Sequence, residues 1–217
     1  MSHIPELLER YRRGPELLAM VLTGVFGEEE DFAAAPGKWS IRQIVAHLAD
    51  SEIVLAHRFR QVIAEDSPTM IWFDQDAWAA NLDYARRKPK QSLETLRRTR
   101  AENYDLLKAL PEATYDRAGN HTQRGRLTLG QLLEQGAAHT ESHARQIGEI
   151  REAYNLVFEK MFDAGVFQRK LGELGLAIRN TPLPDDKKQA IAAVFENWGL
   201  LPAPKEDAKS AEPKPNP

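Results

Sequence analysis

Two histidines spaced four residues apart are the first feature of this 217-residue sequence that could carry chemistry. His139 and His143 lie in a segment, residues 128–150, whose apolar residues recur at steps of three and four, which predicts an amphipathic helix. Four residues along a helix separate two side chains by about 40° of rotation and about 6 Å of rise, so both imidazoles can reach one metal ion. The spacing therefore predicts part of a metal site on the inward face of this helix.

A third ligand is available from a second predicted helix, residues 41–64. His47 lies beside the apolar stripe of that helix. Three imidazoles leave a fourth coordination position for water or substrate, an arrangement typical of catalytic rather than structural zinc. Because the chain has no cysteine, metal chemistry must fall to His, Asp and Glu. The alternative interpretation is that these residues are core histidines that bind no metal.

Several other side chains are candidates for supporting roles. Asp50, one turn after the histidine of the second helix, either holds a ligand in place or accepts a proton, or it is an exposed residue of the helix face. Asp74 and Trp78 lie in the connection after that helix and could line the mouth of a substrate site. The alternative for Trp78 is that its aromatic ring fills the core. His121 precedes the helix of residues 128–150 and could overhang the pocket.

The remaining polar residues near these helices are predicted to be solvated. His3 and His57 are interpreted as surface residues. Glu141 and Gln146 flank the paired histidines, but carboxylates and amides on such a helix are usually in contact with water. The acidic run at residues 28–31 is interpreted as a solvated loop.

Helical periodicity and helix-start signals predict four long helices, over residues 5–25, 41–64, 92–110 and 128–150. Ser40 with Gln43, and Thr128 with Gln131, match the capping box that marks a helix start. A short helix is predicted over residues 76–86, in the long connection between the second and third helices. Four amphipathic helices with two long connections predict an all-α bundle, in which sites form from inward side chains of facing helices.

The C-terminal part of the chain is predicted to lie outside this bundle. Residues 1–155 form the bundle, and residues 156–199 form an added helical segment. Apolar residues at near-helical spacing in that segment either pack as an ordinary helix face or bind a partner; they are Phe158, Phe162, Val166, Phe167 and Leu171. Pro, Lys, Glu and Ala dominate residues 200–217, which predicts a disordered tail.

Charge and hydropathy narrow the classes of partner. The formal net charge is -3, and the Lys and Arg residues are scattered among acids, which argues against nucleic acid as a general partner. No opening segment has the pattern of a signal peptide, and no apolar stretch approaches the roughly 20 residues that span a bilayer. We therefore expect a cytoplasmic protein without membrane contact, a small-molecule substrate and a homodimer.

Two segments resemble the signature helices of the DinB/YfiT-like metal-dependent superfamily: PGKWSIRQIVAHLADSE at residues 36–52 and HTESHARQI at residues 139–147. The similarity extends over about residues 5–155. The resemblance implies an up-down-down-up four-helix bundle whose divalent metal is held by three histidines, and it assigns those roles to His47, His139 and His143. Members of the superfamily include bacillithiol S-transferases, a mycothiol-dependent maleylpyruvate isomerase and stress-associated proteins of unknown activity.

Three functional hypotheses follow. The first is a thiol S-transferase-like enzyme in which a divalent metal, Zn, Ni, Fe, Mn or Cu, binds a low-molecular-weight thiol as its thiolate and lowers its pKa. The second is a non-enzymatic metal-binding or stress-response module that serves as an interaction scaffold. The third is metal-dependent hydrolysis through a bound water, for which Asp50 is the only candidate base close to a ligand in the sequence.

Overall fold

The computed structural model describes residues 3–161 and 184–189, together with the single residues 165, 169, 173 and 191. Within residues 3–161 the α-helices are α1 (Ile4–Val21), α2 (Glu28–Asp31), α3 (Ile41–Ala64), α4 (Gln75–Asn81), α5 (Pro89–Lys108) and α6 (Leu129–Met161). Two 3-10 turns lie at Tyr84–Arg86 and Glu112–Asp116. The long helices α1, α3, α5 and α6 are the four that periodicity predicts.

Both predicted capping boxes form, and each one starts a histidine-bearing helix. Before α3, the backbone N–H of Ser40 donates to Gln43 Oε1 at 2.9 Å, and the N–H of Gln43 donates to Ser40 Oγ at 3.4 Å. Before α6, the same two bonds join Thr128 and Gln131 at 2.9 and 3.1 Å. Each box satisfies backbone donors that a helix start leaves unpaired, and it thereby determines the residue at which the helix begins.

Other helix boundaries differ from the prediction for identifiable reasons. α5 begins at Pro89 rather than near residue 92, because proline suits the first turn of a helix. α6 continues past residue 150 to Met161. The short helix predicted over residues 76–86 is divided into α4 and a 3-10 turn, because Asp83 adopts a left-handed φ of 52° between them.

A small three-stranded sheet joins the connection after α3 to the connection before α6, and none of its strands is predicted from the sequence. Its strands are β1 (Thr69–Met70), β2 (Ala118–His121) and β3 (Gly125–Thr128). β1 pairs in parallel with β2, and β2 pairs antiparallel with β3. Strands of two to four residues show no alternating apolar pattern long enough to recognise. The pairing of Met70 with His121 brings the connection before α6 next to the one after α3.

A buried polar network connects the four long helices. We define it by Tyr11 of α1, Glu52 of α3, and Arg100 and Asn103 of α5, all at most 2% exposed. The Glu52 carboxylate accepts hydrogen bonds from Arg100 Nη2 at 2.5 Å, from the Tyr11 hydroxyl and from Asn103. Arg100 also donates to the carbonyl of Gly136 in α6 at 3.3 Å. Along each helix these polar positions lie between two groups of apolar residues that form separate core clusters.

Two glycines make room for this network. A Cβ at Gly14 of α1 would lie 2.2 Å from Arg100 Nη1, and a Cβ at Gly136 of α6 would lie 2.5 Å from Leu55 Cδ2. Both distances are shorter than any van der Waals contact, so the close approach of the helices at this level depends on the missing side chains.

The structure divides into two units, Met1–Asn155 and Leu156–Pro217, and the bundle belongs to the first. Two predictions fall largely outside the described residues and stay predictions. They are the helical segment over residues 156–199, with its apolar residues Phe158 to Leu171, and the disordered tail over residues 200–217. Within the described part of the chain, none of the helices has the length and apolar character needed to cross a membrane.

Candidate metal centre

Three histidine side chains converge inside the bundle. His47 projects from α3, and His139 and His143 project from α6; we call them the histidine triad. One ring nitrogen from each lies within 4.8 Å of the others. The Nε2 atom of His139 is 3.1 Å from Nε2 of His47 and 3.1 Å from Nε2 of His143. The residues that the spacing and the resemblance single out as metal ligands are therefore together in space.

The geometry of these nitrogens fits a single small cation. Ligand nitrogens at about 2.0–2.1 Å from a tetrahedral zinc ion are about 3.3 Å apart, close to the two separations observed here. His143 Nδ1 lies 2.8 Å from Gln146 Oε1. Because an amide oxygen can only accept, the proton of neutral His143 is on Nδ1 and its Nε2 presents a lone pair to the other two rings. A cation at this point would satisfy all three nitrogens at once.

Burial keeps the triad neutral. The pKa of His47 is lowered to about 4, mainly by burial and to a smaller extent by repulsion from a charged His143. The negative charge of Asp50 raises this pKa and so opposes the shift. Burial, followed by the neighbouring rings and then the charges of Arg100 and Arg124, lowers the pKa of His139 to about 3. Burial also lowers the pKa of His143, against the effect of its hydrogen bond to Gln146. All three imidazoles are thus unprotonated at neutral pH, as ligation requires.

The immediate surroundings hold the His47 ring in place. The Trp39 ring packs against it with the centroids 4.8 Å apart, and Ser51 Oγ lies 3.4 Å from both of its ring nitrogens. Both carboxylate oxygens of Asp50 accept from Arg87 Nη1, at 2.8 and 2.7 Å, and its role in orienting a ligand or accepting a proton stays a prediction. Asp50 is also buried rather than on an exposed helix face.

An open cavity of about 810 Å³ adjoins the triad, and we call it the site cavity. His47 and His139 form part of its wall, and Arg58, Trp72, His121 and Arg124 are among the other lining residues. Its volume is in the range of small-molecule sites. Two of the three rings of the triad therefore form part of the wall of a space that can hold a substrate.

Of the three residues predicted to contact substrate, two line this cavity. His121 is buried there by the small sheet, and Asp74 lies at the mouth, where its carboxylate caps α4 by accepting from the N–H groups of Asp76 and Ala77. Trp78 is not part of the cavity lining, because its ring packs on Phe73 with the centroids 4.4 Å apart.

Several residues predicted to be solvated are instead paired. Gln146 contacts His143, as described above, and Glu141 forms an ion pair with Arg10 at 2.7 Å. The acidic run at residues 28–31 is the short helix α2 rather than a loop, and its side chains bind Arg151 and Arg42. His3 and His57 are exposed, as predicted.

The sequence pattern of the DinB superfamily matches residues 10–147 of this chain, well over half of its length. The chain belongs to the DinB superfamily. A relative from Oceanobacillus iheyensis is 27% identical over 136 residues, which cover 63% of this chain and 78% of the relative. YfiT from Bacillus subtilis is 30% identical over 115 residues, 52% of this chain and 65% of YfiT. Both relatives are named, provisionally, as metal-dependent hydrolases.

Solved structures confirm the fold expected for a DinB-superfamily chain. The structure of Bacillus subtilis YfiT, described as a four-helix bundle of unusual topology, matches with a TM-score of 0.67 and 24% identity, over 71% of this chain and 90% of YfiT. A mycothiol-dependent maleylpyruvate isomerase matches with a TM-score of 0.55 and 17% identity, over 66% of this chain and 60% of the isomerase. The predicted all-α, DinB/YfiT-like bundle is therefore confirmed.

Two independent observations thus suggest a divalent metal in this DinB-superfamily chain: the provisional names of its relatives and the geometry of the triad. Two residues that contact the triad are not predicted to do so from the sequence: Gln146 is assigned to the solvent, and Ser51 is not singled out. Gln146 is three residues after His143, and Ser51 is four residues after His47, so helical spacing alone would have identified both as neighbours. Arg58 and Arg124 carry no such signal, because only the tertiary fold brings them to the same cavity.

Proposed function

We propose that this chain binds a divalent metal ion through His47, His139 and His143 and that it is a metal-dependent, thiol S-transferase-like enzyme acting on a small molecule. The observation that carries the proposal is the convergence of three imidazole nitrogens at the wall of the site cavity. A bound divalent cation would act as a Lewis acid and lower the pKa of a thiol or water in its remaining coordination position.

The protein side chains contribute orientation and neutrality. Gln146 accepts the Nδ1 proton of His143 and so directs its Nε2 towards the other two rings. Trp39 packs against the His47 ring and restricts its rotation. Because burial lowers the pKa of all three imidazoles below the usual value, protons compete little with the cation at physiological pH.

The groups around the triad favour a thiol over water as the source of the nucleophile. A thiol with a pKa of about 8.5 needs only a small further decrease to ionise at neutral pH. Hydrolysis additionally requires a group that moves protons to or from the reacting atoms. Asp50, the carboxylate predicted for that role, is occupied by Arg87. Since the chain has no cysteine, the thiol must be supplied as a low-molecular-weight co-substrate.

Metal-dependent hydrolysis is the second candidate, and the provisional names of the relatives favour it. In that reaction Asp50 would have to exchange its contact with Arg87 for one with water. Hydrolysis by Asp50→Asn at an unchanged rate would exclude Asp50 as the base.

The test begins with elemental analysis of the purified full-length chain. The metal-loaded protein is then assayed with monochlorobimane and, in turn, bacillithiol, mycothiol, glutathione and coenzyme A. We expect turnover with one of these thiols that requires metal, disappears in His143→Ala and is retained in His57→Ala, a control at an exposed histidine. Absence of metal-dependent turnover with all four thiols would rule out the transferase reaction for this chain.

A further inference from the structure

Two arginines line the site cavity without a carboxylate partner in the described part of the chain. Arg58 donates from Nη2 to the carbonyl of Ile71 at 2.7 Å, but its Nε is buried and makes no hydrogen bond. Arg124 donates to the amide oxygen of Gln135 at 3.2 Å. Burial, followed by the charge of Arg124, lowers the pKa of Arg58, as expected for two cations close together. The Arg58 guanidinium, which is half-buried, therefore lacks the anion that would normally offset its partial desolvation, and Arg124 is exposed.

A third donor lines the same cavity. Nδ1 of His121 accepts from the backbone N–H groups of Gln123 and Arg124, at 3.2 and 3.3 Å. The proton of the neutral ring is therefore on Nε2, which can only donate. Burial, followed by the charges of Arg58 and Arg124, lowers the pKa of His121 and keeps the ring neutral.

The acids of the cavity do not neutralise these cations. Asp74 and Asp76 both line the cavity, but both are exposed. One carboxylate oxygen of Asp74 is used to cap α4. Two carboxylates that line the cavity would repel a dianion more strongly than a monoanion, so the three donors suit a ligand with a single negative charge.

We propose that Arg58, Arg124 and His121 form a carboxylate-binding subsite in the site cavity, so that the compound processed at the triad carries a carboxylate. Guanidinium N–H groups match the planar, two-oxygen geometry of a carboxylate, and charge-assisted bonds of this kind are strong in a partly buried setting. This inference names a substrate class for the proposed function and rests on it for the reaction. Anion binding itself requires neither turnover nor metal.

Binding is tested by isothermal titration calorimetry of the full-length chain with benzoate and with benzamide, which share a shape and differ in charge. Each titration is made on metal-loaded and on chelator-treated protein. We expect benzoate to bind in both states and benzamide to bind at least about tenfold more weakly. Equal binding of the two compounds, or benzoate binding that requires metal, would overturn the subsite.

Variants assign the binding to these side chains. Arg58→Gln and Arg124→Gln should each weaken benzoate binding about tenfold or more, whereas Arg58→Lys, which keeps the charge, should retain part of it. Arg126→Gln is the matched control, because Arg126 lies in the same hairpin, is exposed and does not line the cavity. Circular dichroism establishes that each variant is folded. Unchanged affinity in a folded Arg58→Gln protein would refute the assignment.

The carboxylate can belong to the thiol or to the electrophile, and two matched pairs distinguish these sources. In the first pair the thiol varies: N-acetylcysteine, which has a carboxylate, and N-acetylcysteamine, which has none, each react with bromoacetamide. In the second pair the electrophile varies: bromoacetate, which has a carboxylate, and bromoacetamide, which has none, each react with N-acetylcysteamine. In each reaction a C–S bond forms as the C–Br bond breaks, bromide leaves, and the thiol proton passes to solvent. We expect the charged member of one pair to have the higher kcat/KM, and Arg58→Gln to remove that preference.

The subsite and the proposed function fail in different ways. Benzoate binding that Arg58→Gln abolishes, without turnover of any pair, would leave the subsite standing and refute the transferase reaction. Metal-dependent turnover without any preference for charge, together with benzoate binding that is insensitive to Arg58→Gln, would refute the subsite and leave the transferase reaction standing.

Discussion

Removal of one imidazole from the triad should abolish the stabilisation that metal gives this protein. Metal that binds only the folded state adds about 2.7 kcal/mol at a free concentration of 100 dissociation constants. For a chain of this size, that gain corresponds to a rise in Tm of roughly 5–11 °C. We expect this rise for the natural sequence near pH 7.5 and none for His47→Ala, His139→Ala or His143→Ala. His57→Ala, at an exposed position, should keep it.

The pH dependence of this rise follows from the depressed pKa values. With a pKa of about 4 for His47 and about 3 for His139, few protons compete with metal at pH 5. A solvated imidazole with a pKa of roughly 6.5 would instead weaken metal binding about 30-fold at that pH. Burial lowers the pKa of His143 as well, so the metal-induced rise in Tm should decrease less between pH 7.5 and pH 5 than it would for three solvated imidazoles.

The stability of the metal-free protein should follow a different course. Since the folded-state pKa of His47 and of His139 lies below the unfolded value of roughly 6.5, the unfolded chain binds more protons between that pH and about 4. The contribution of the neutral rings is complete above pH 6.5 and is lost as the pH falls through this window. Differential scanning fluorimetry with and without added Zn²⁺, from pH 4 to 8, measures both effects. A rise in Tm that survives in His143→Ala, or that disappears between pH 6.5 and 5, would refute the buried triad.

Further predictions concern residues around the site. Gln146→Leu should weaken Zn²⁺ binding about 10- to 100-fold in a chelator competition assay while the bundle stays folded, because the ring that Gln146 orients loses its partner; unchanged affinity would contradict this role. Glu52→Ala should lower the free energy of unfolding, measured in urea, by about 3–5 kcal/mol, because Arg100 would stay buried without a carboxylate partner. A loss below about 1 kcal/mol would show that the ion pair does not stabilise the fold. Gly136→Ala should cost about 1–3 kcal/mol in the same assay, because its Cβ would lie 2.5 Å from Leu55 Cδ2; full stability would mean that the Leu55 side chain moves aside at little cost.

Local sequence patterns were sufficient for the long helices and for two of the three histidines of the triad. Apolar periodicity identifies the four long helices, and two capping boxes locate the starts of α3 and α6. A four-residue spacing on one helix is a local property, so it places His139 and His143 side by side before any tertiary contact is known. His47 required the resemblance to the superfamily, because nothing in the spacing of residues on separate helices shows that they meet.

Long-range contacts determined the rest. Asp50 looks like a partner of His47 from its position in the sequence, but Arg87, 37 residues away, binds its carboxylate. His121 enters the site cavity because β2 pairs with β1, and strands this short leave no periodic signal. Glu52 and Arg100 are of charged residue types that are mostly exposed in proteins, yet the bundle buries them against each other. Periodicity indicates which face of a single helix turns inward. Which residue of a neighbouring helix that face contacts depends on how the two helices pack, and only the tertiary structure contains this information.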